Sequence, residues 1–151
     1  YLIPLFKAYN VLGLYNTRQG MIVFYMAICI PFAMFVIRNF FSGISREVLE
    51  SAKLDGASSI TILCHILVPM SVAPLTVVFF NQFKWCWNEL MFGLTLTKSV
   101  NIRPVMAMVS LLRGGSAPAL LLACLIVSIP MLLLFTFLQK NMETGLVYQS
   151  K

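Results

Sequence analysis

Trp87, Asn88 and Glu89 follow one another directly, with Lys84 three residues upstream, and together they carry the parts of a sugar site. A sugar stacks its C–H face on an aromatic ring while an amide and a carboxylate bond its hydroxyls. The same run also suits a headgroup boundary, where Trp concentrates while Lys84 and Glu89 stay solvated or paired. Both readings stand on the residues alone. Glu47 and Glu50 lie one helical turn apart, but nothing near them in sequence supplies a pocket or a nucleophile for acid–base work. His65 is the only histidine and opens an apolar stretch, so it reads as an interfacial or packed side chain rather than a proton relay. Cys29, Cys64, Cys86 and Cys124 stand singly among apolar residues without a CxxC pair, which supports neither a disulfide framework nor a metal site. A GxxxxGK[ST] phosphate loop is absent from the sequence, so nothing in this chain hydrolyses ATP. No catalytic residue and no metal ligand is assigned.

The elements that must position these residues are apolar helices. The chain is 60% hydrophobic and 11% charged, against about 25% charged in ordinary soluble domains. Residues 19–37 are uncharged, residues 56–83 carry no formal charge apart from a neutral His65, and residues 114–139 are uncharged. About 20 apolar residues cross a bilayer as helix, which predicts full spans near 20–41, 62–83 and 117–138. Pro31 is expected to kink the first, and Pro69 and Pro74 to interrupt the second. The opening YLIPLF reads as the tail of a truncated further span, and the chain as the C-terminal part of a longer membrane protein. Residues 7–18 read as a short turn outside the bilayer, 84–115 as a mixed stretch, and the closing QKNMETGLVYQSK as a polar tail. The expectation is one all-α membrane domain over 1–151, a polytopic helical bundle of about three full spans plus the truncated one. The net charge of +6 is scattered singly at span ends, which suits membrane anchoring and not nucleic acid. Counting Lys and Arg gives five on the side of 42–60 and six on the other, so charge does not orient the chain.

Residues 42–60 form the one strongly polar connection. Residues 46–54 read as helix, with Ser45 placed to cap the N-terminus and Glu47 in the first turn, where the helix dipole favours an acid. Gly56 can take the left-handed conformation that breaks the helix, and Asp55 could cap a second helix starting near Ala57. Ala52, Gly56 and Ala57 make a small-residue corner open to close approach, flanked by Val48, Leu49 and Leu54, which could anchor in a partner's groove. A solvated loop whose charges keep it out of lipid is the other reading.

Glu50-Ser51-Ala52, three residues, Gly56, nine residues, Ile66, one residue and Val68-Pro69 resemble the EAA loop of binding-protein-dependent ABC importer permeases. Ser51 and Val68 are mild departures from that pattern. Leu12-Gly13-Leu14 with Asn16-Thr17 and Gly20, Pro31-Phe32, Phe35 with Arg38-Asn39-Phe40-Phe41, Trp87-Asn88-Glu89, Phe137-Leu138-Gln139-Lys140 and Gly145-Leu146 are similar to carbohydrate-importer permeases of the MalG type. The resemblance covers nearly the whole chain, as the third to sixth helices of a six-helix subunit. It implies a multi-pass protein of a bacterial or archaeal cytoplasmic membrane, with the 42–60 loop and Lys151 cytoplasmic. It makes that loop a coupling helix seated in an ATPase subunit, with Glu47, Glu50, Ala52, Leu54, Asp55, Gly56 and Ala57 at the contact. Trp87, Asn88, Glu89 and Lys84 become candidates for the substrate path. The implied partners are an ABC ATPase dimer, a second permease subunit in a heterodimer, an extracytoplasmic solute-binding protein and membrane lipid. ATP and Mg would be used by the ATPase, with no cofactor on this chain.

Lys84 departs from the family, where a small or apolar residue is usual. A charge at the bilayer centre costs about 2.5–3.5 kcal/mol or more, so it should snorkel outwards or face a wet cavity, and a cavity position would favour an anionic sugar. A permease for a non-sugar solute is the nearest alternative. An ion-coupled secondary transporter would need acids within the spans, and a membrane-embedded enzyme would need clustered His, Asp or Ser; the three spans offer neither.

Overall fold

The structure, a computed structural model, describes residues 1–149, with side chains through Gln139. Lys151, whose cytoplasmic side the resemblance implies, lies outside the described residues. Among the described residues every regular element is helical: α1 (Leu2–Val11), α2 (Arg18–Ser42), α3 (Arg46–Leu54), α4 (Ser59–Ile62), a π-helical turn (Leu63–Leu67), α5 (Val68–Met70), α6 (Val72–Asn88), α7 (Met91–Leu96), α8 (Val105–Leu111), a 3₁₀ turn (Leu112–Gly114) and α9 (Ala117–Gln149). The all-α expectation holds. By length and composition α2 and the Ala117–Gln139 part of α9 can each cross a membrane. Ser59–Met70 and Val72–Asn88 make a third crossing if the pair, bent by 71°, is one span.

Several boundaries differ from the sequence reading. The opening helix runs on to Val11, which shortens the first turn to 12–17. The mixed stretch 84–115 resolves into the end of α6, then α7 and α8. The polar tail continues α9 to Gln149, because Gln, Lys, Met and Glu are good helix formers and an established helix propagates through them.

Proline explains where the second span breaks. Pro69 and Pro74 each fall in the first turn of a new segment, α5 and α6, where a missing N–H is an orphan in any case. Just upstream, Val68 N–H donates to Leu63 O, five residues back, which is the π register. Ser71 closes the corner. Its N–H reaches Leu67 O and Val68 O, both at 3.0 Å, and its hydroxyl donates to Leu67 O. Ser71 is only 1% exposed, so a small side chain that supplies its own donor is what the bend accommodates.

The chain divides into two compact units: Tyr1–Cys29 with Gln82–Phe135, and Ile30–Asn81 with the described residues from Thr136 onward. The first has a core of Tyr9, Met21, Phe24 and Leu96, supported by Leu5, Leu14, Tyr25 and Phe92. The Phe24 and Phe92 rings lie 4.4 Å apart. Gly93 packs α7 onto α8, since a Cβ there would come within 3.0 Å of the Pro104 ring and 3.3 Å of the Ala107 methyl. In the second unit Ala52, Ile62, Ser71, Thr76 and Val78 are buried.

The turn 12–17 depends on backbone freedom. Gly13 and Asn16 both take positive φ, +66° and +55°, a region open to Gly and tolerated by Asn. Thr17 then starts α2: its hydroxyl accepts from Gly20 N at 3.0 Å and donates to Leu14 O at 2.8 Å. Tyr9 crosses the turn to donate to Gly20 O at 3.2 Å. At Gly20 a Cβ would collide with the Leu14 carbonyl oxygen, and backbone cannot yield as a flexible side chain can. Gly20→Ala is therefore expected to destabilise by about 3 kcal/mol, the upper part of the usual overpacking range. Thermal unfolding in detergent reads this as a clear drop in melting temperature; an unchanged midpoint would remove the close approach.

Candidate functional site

The 42–60 connection folds as a rigid hook. α3 ends in a complete Schellman motif: Gly56 N–H donates to Lys53 O at 3.0 Å and Ala57 N–H to Ala52 O at 3.1 Å, with Gly56 left-handed at φ +78°. Both bonds satisfy carbonyls that the helix end would otherwise orphan. The spacing from Ala52 to Gly56 is thus the spacing of a helix stop. Ser45 occupies the N-cap position with extended backbone, but its side chain makes no cap bond. Nor does Asp55 cap the next helix. Ser58 does, accepting from Thr61 N at 3.2 Å, and α4 begins at Ser59 rather than near Ala57. Asp55 sits too early because the αL residue and Ala57 must intervene before the chain can re-enter a helix.

Exposure sorts the loop residues. Glu47, Glu50, Leu54, Asp55 and Gly56 are exposed, Ala57 is half-buried, and Ala52 is buried. Leu54 is 89% exposed and Ile60 74%, on either side of Gly56.

The other constellation lies in the first unit at the end of α6. Glu89 is 7% exposed, and its two carboxylate oxygens accept from Phe92 N at 2.6 Å and Gly93 N at 2.8 Å. It therefore holds the free amides at the start of α7, where a carboxylate is favoured. Trp87 stacks on Phe83 at 5.3 Å and donates from its indole N–H to Val127 O of α9 at 3.1 Å. Asn88 donates from Nδ2 to Lys84 O at 2.8 Å. Two hollows flank these residues. One, about 510 Å³, runs between Trp87 and Asn88 and the Cys124–Ser128 face of α9, with Met106 and Val109. The other, about 320 Å³, is lined by Lys84, Trp85, Asn88, Glu89 and Phe92. Asn88 borders both.

Sequence reasoning missed Asn16 as a fastener. Its side-chain oxygen accepts from Lys98 N at 2.8 Å and Ser99 N at 2.7 Å, while Nδ2 donates to the Ser99 hydroxyl at 2.8 Å. Its own N–H donates to Leu96 O at 2.9 Å. Arg103 donates to Thr97 O and Lys98 O, both at 3.2 Å, so the loop after α7 is held from two sides. The Asn16-Thr17 pair carried a local turn signal, but no local signal points 83 residues ahead.

Residues 2–148 match the family described as the binding-protein-dependent transport system inner membrane component. The chain is 34% identical to a probable ABC transporter permease protein of Pyrococcus horikoshii, over 95% of this chain and 54% of that protein. It is 32% identical to the alpha-glucoside transport system permease protein of Rhizobium meliloti, over 97% of this chain and 41% of that protein. It is also 32% identical to the trehalose/maltose transport system permease protein of Thermococcus litoralis, over 94% of this chain and 52% of that protein. The chain spans about half the length of the curated relatives it matches.

Glu89→Gln leaves one oxygen where there were two and sets an amide N–H against a backbone N–H. The variant is expected to lose about 1–3 kcal/mol, the cost of a buried donor without its acceptor, read as a lower melting temperature in detergent. Stability equal to the parent would show that the carboxylate does not hold α7.

Proposed function

Since the chain belongs to the family of binding-protein-dependent transport system inner membrane components, we propose that it is part of the permease subunit of an ATP-driven sugar importer. In this reading it lines the translocation path and couples to an ATPase through the hook at 42–60. The observation that carries the coupling role is the hook itself: an exposed Leu54 and Ile60 held by a Schellman stop and a Ser58 cap. A contact that must transmit force benefits from a shape already fixed before binding. Glu47, Glu50, Asp55 and Gly56 complete the docking face, Ala57 borders it, and buried Ala52 supports it from within. ATP and Mg act in the partner ATPase dimer, whose closure drags this hook and a second permease subunit's counterpart. An extracytoplasmic solute-binding protein delivers the solute on the opposite side.

Sugar as the solute is supported by what relatives carry: by their names, one serves alpha-glucosides and another trehalose and maltose. Trp87 and Asn88 fit that role best. Trp87 lines one hollow with its indole, and Asn88 lines both hollows with its amide. Glu89 serves the path by fixing α7 behind it. The hollow that includes Lys84 beside Trp85 and Asn88 favours a second reading, a sugar carrying an anionic group.

Two measurements separate these claims. Leu54→Asp removes an apolar anchor from a position that touches little of its own chain. In proteoliposomes of the full-length complex it should cut uptake about tenfold, a docking loss of about 1.4 kcal/mol, with an unchanged melting temperature. Uptake at the parent rate would end the docking claim. Lys84→Leu should shift preference from anionic towards neutral sugars in competition assays, and an unchanged preference would leave the anionic reading without support.

A further inference from the structure

Cys29 of α2 and Cys86 of α6 bring their sulfurs to 3.7 Å across 57 residues of sequence. Both thiols are free and half-buried. The register that brings them together is fixed twice more. Gln82, one turn before Cys86, donates to Cys29 O at 2.9 Å, and Tyr25, one turn before Cys29, meets Trp85 edge-on at 6.5 Å. The two sulfurs are thus held by an interlocked helix pair, not by chance rotamers.

The surroundings narrow what such a pair can take. No group of three or more His, Cys, Asp or Glu residues among the described residues could hold a metal ion, so a four-ligand zinc site is incomplete here. A disulfide needs an oxidant and a closure from 3.7 Å to about 2.05 Å. A neutral, soft, pyramidal centre that bonds both sulfurs needs no oxidant and no further protein ligand, and asks a smaller closure than a disulfide of two half-buried side chains.

We propose that Cys29 and Cys86 form a two-thiol site for monosubstituted trivalent arsenicals, which bridge α2 to α6. The chemistry balances without electron transfer. The arsenic–oxygen bond of R–As=O is replaced by two arsenic–sulfur bonds, and the oxygen leaves as water with both thiol protons. The product is uncharged. The inference is independent of what crosses the membrane.

Phenylarsine oxide added to the full-length protein in detergent tests this. The expected result is one equivalent that resists 2-mercaptoethanol and leaves with 2,3-dimercaptopropanol. Peptide mapping should recover the Cys29 and Cys86 peptides joined through one phenylarsenic group. Cys29→Ser and Cys86→Ser should each weaken binding on the order of 10²-fold, the gain that a second tethered contact supplies. Cys64→Ser and Cys124→Ser should not. Their melting temperatures, matched to the parent, keep misfolding from mimicking the loss. Retention of the resistant equivalent by both Cys29→Ser and Cys86→Ser, or mapping only to Cys64 or Cys124, would overturn the site.

Discussion

Within hydrocarbon, a polar side chain of one helix that reaches a carbonyl of its neighbour ties the two in one register. Pro31 lies inside α2 and Pro130 inside α9, and each loosens the turn before it by removing the N–H that the carbonyl four residues back, Ala27 O or Ile126 O, would take. α6 bonds a neighbouring carbonyl in each of these turns. Gln82 reaches Cys29 O, two residues before Pro31, and the Trp87 indole reaches Val127 O, three residues before Pro130. Bonds of this kind within membranes average about 0.6 kcal/mol and reach about 1.7, so neither is a large term. Their value is in register: they set which face of α6 meets each neighbour. The aromatic contacts, the thiol pair and the hollows beside Trp87 all follow from that register. Elsewhere hydroxyls do the same locally, as where Thr76 donates to Val72 O at 2.7 Å and Ser128 to Cys124 O at 2.8 Å.

The hook at 42–60 meets the opposite condition. In water its carbonyls could be solvated, yet α3 closes with two backbone bonds and α4 opens with a side-chain cap. The connection therefore keeps its shape by its own bonds. Ala52 has two duties in this arrangement: its carbonyl takes the Ala57 N–H, and its methyl packs inward.

The sequence made the spans legible because twenty apolar residues have few other homes, and it made Gly56 legible because a left-handed stop favours Gly at that point. It was less informative wherever competing local signals were equally good. Asp55 is a sound cap by residue type, but the geometry of the Schellman turn moves the cap to Ser58. Pro69 and Pro74 announced a break but not its form, since the π turn and Ser71 corner arise from how two proline-started segments join. Glu89 read as a polar group for a ligand because its donors, the amides of Phe92 and Gly93, are presented to it only once α7 has formed. Cys29 and Cys86 looked solitary because their proximity is tertiary. The expected caps at Ser45 and Asp55 failed for the same reason that Asn16 was missed: side-chain partners are settled by packing and not by position alone.

Asn16 also sets a timetable for biogenesis. Its partners at Lys98 and Ser99 are 82 and 83 residues further along the chain. At about 5–20 residues per second, the ribosome needs roughly 4–17 s to reach them. During that interval the 12–17 turn has Thr17 and Tyr9 to shape it but no clasp, and the N-terminal end of α2 stays unfastened. The loop after α7 arrives later and locks a turn that has been waiting for it. A span inserted early is thus finished late, by a residue that lies outside it.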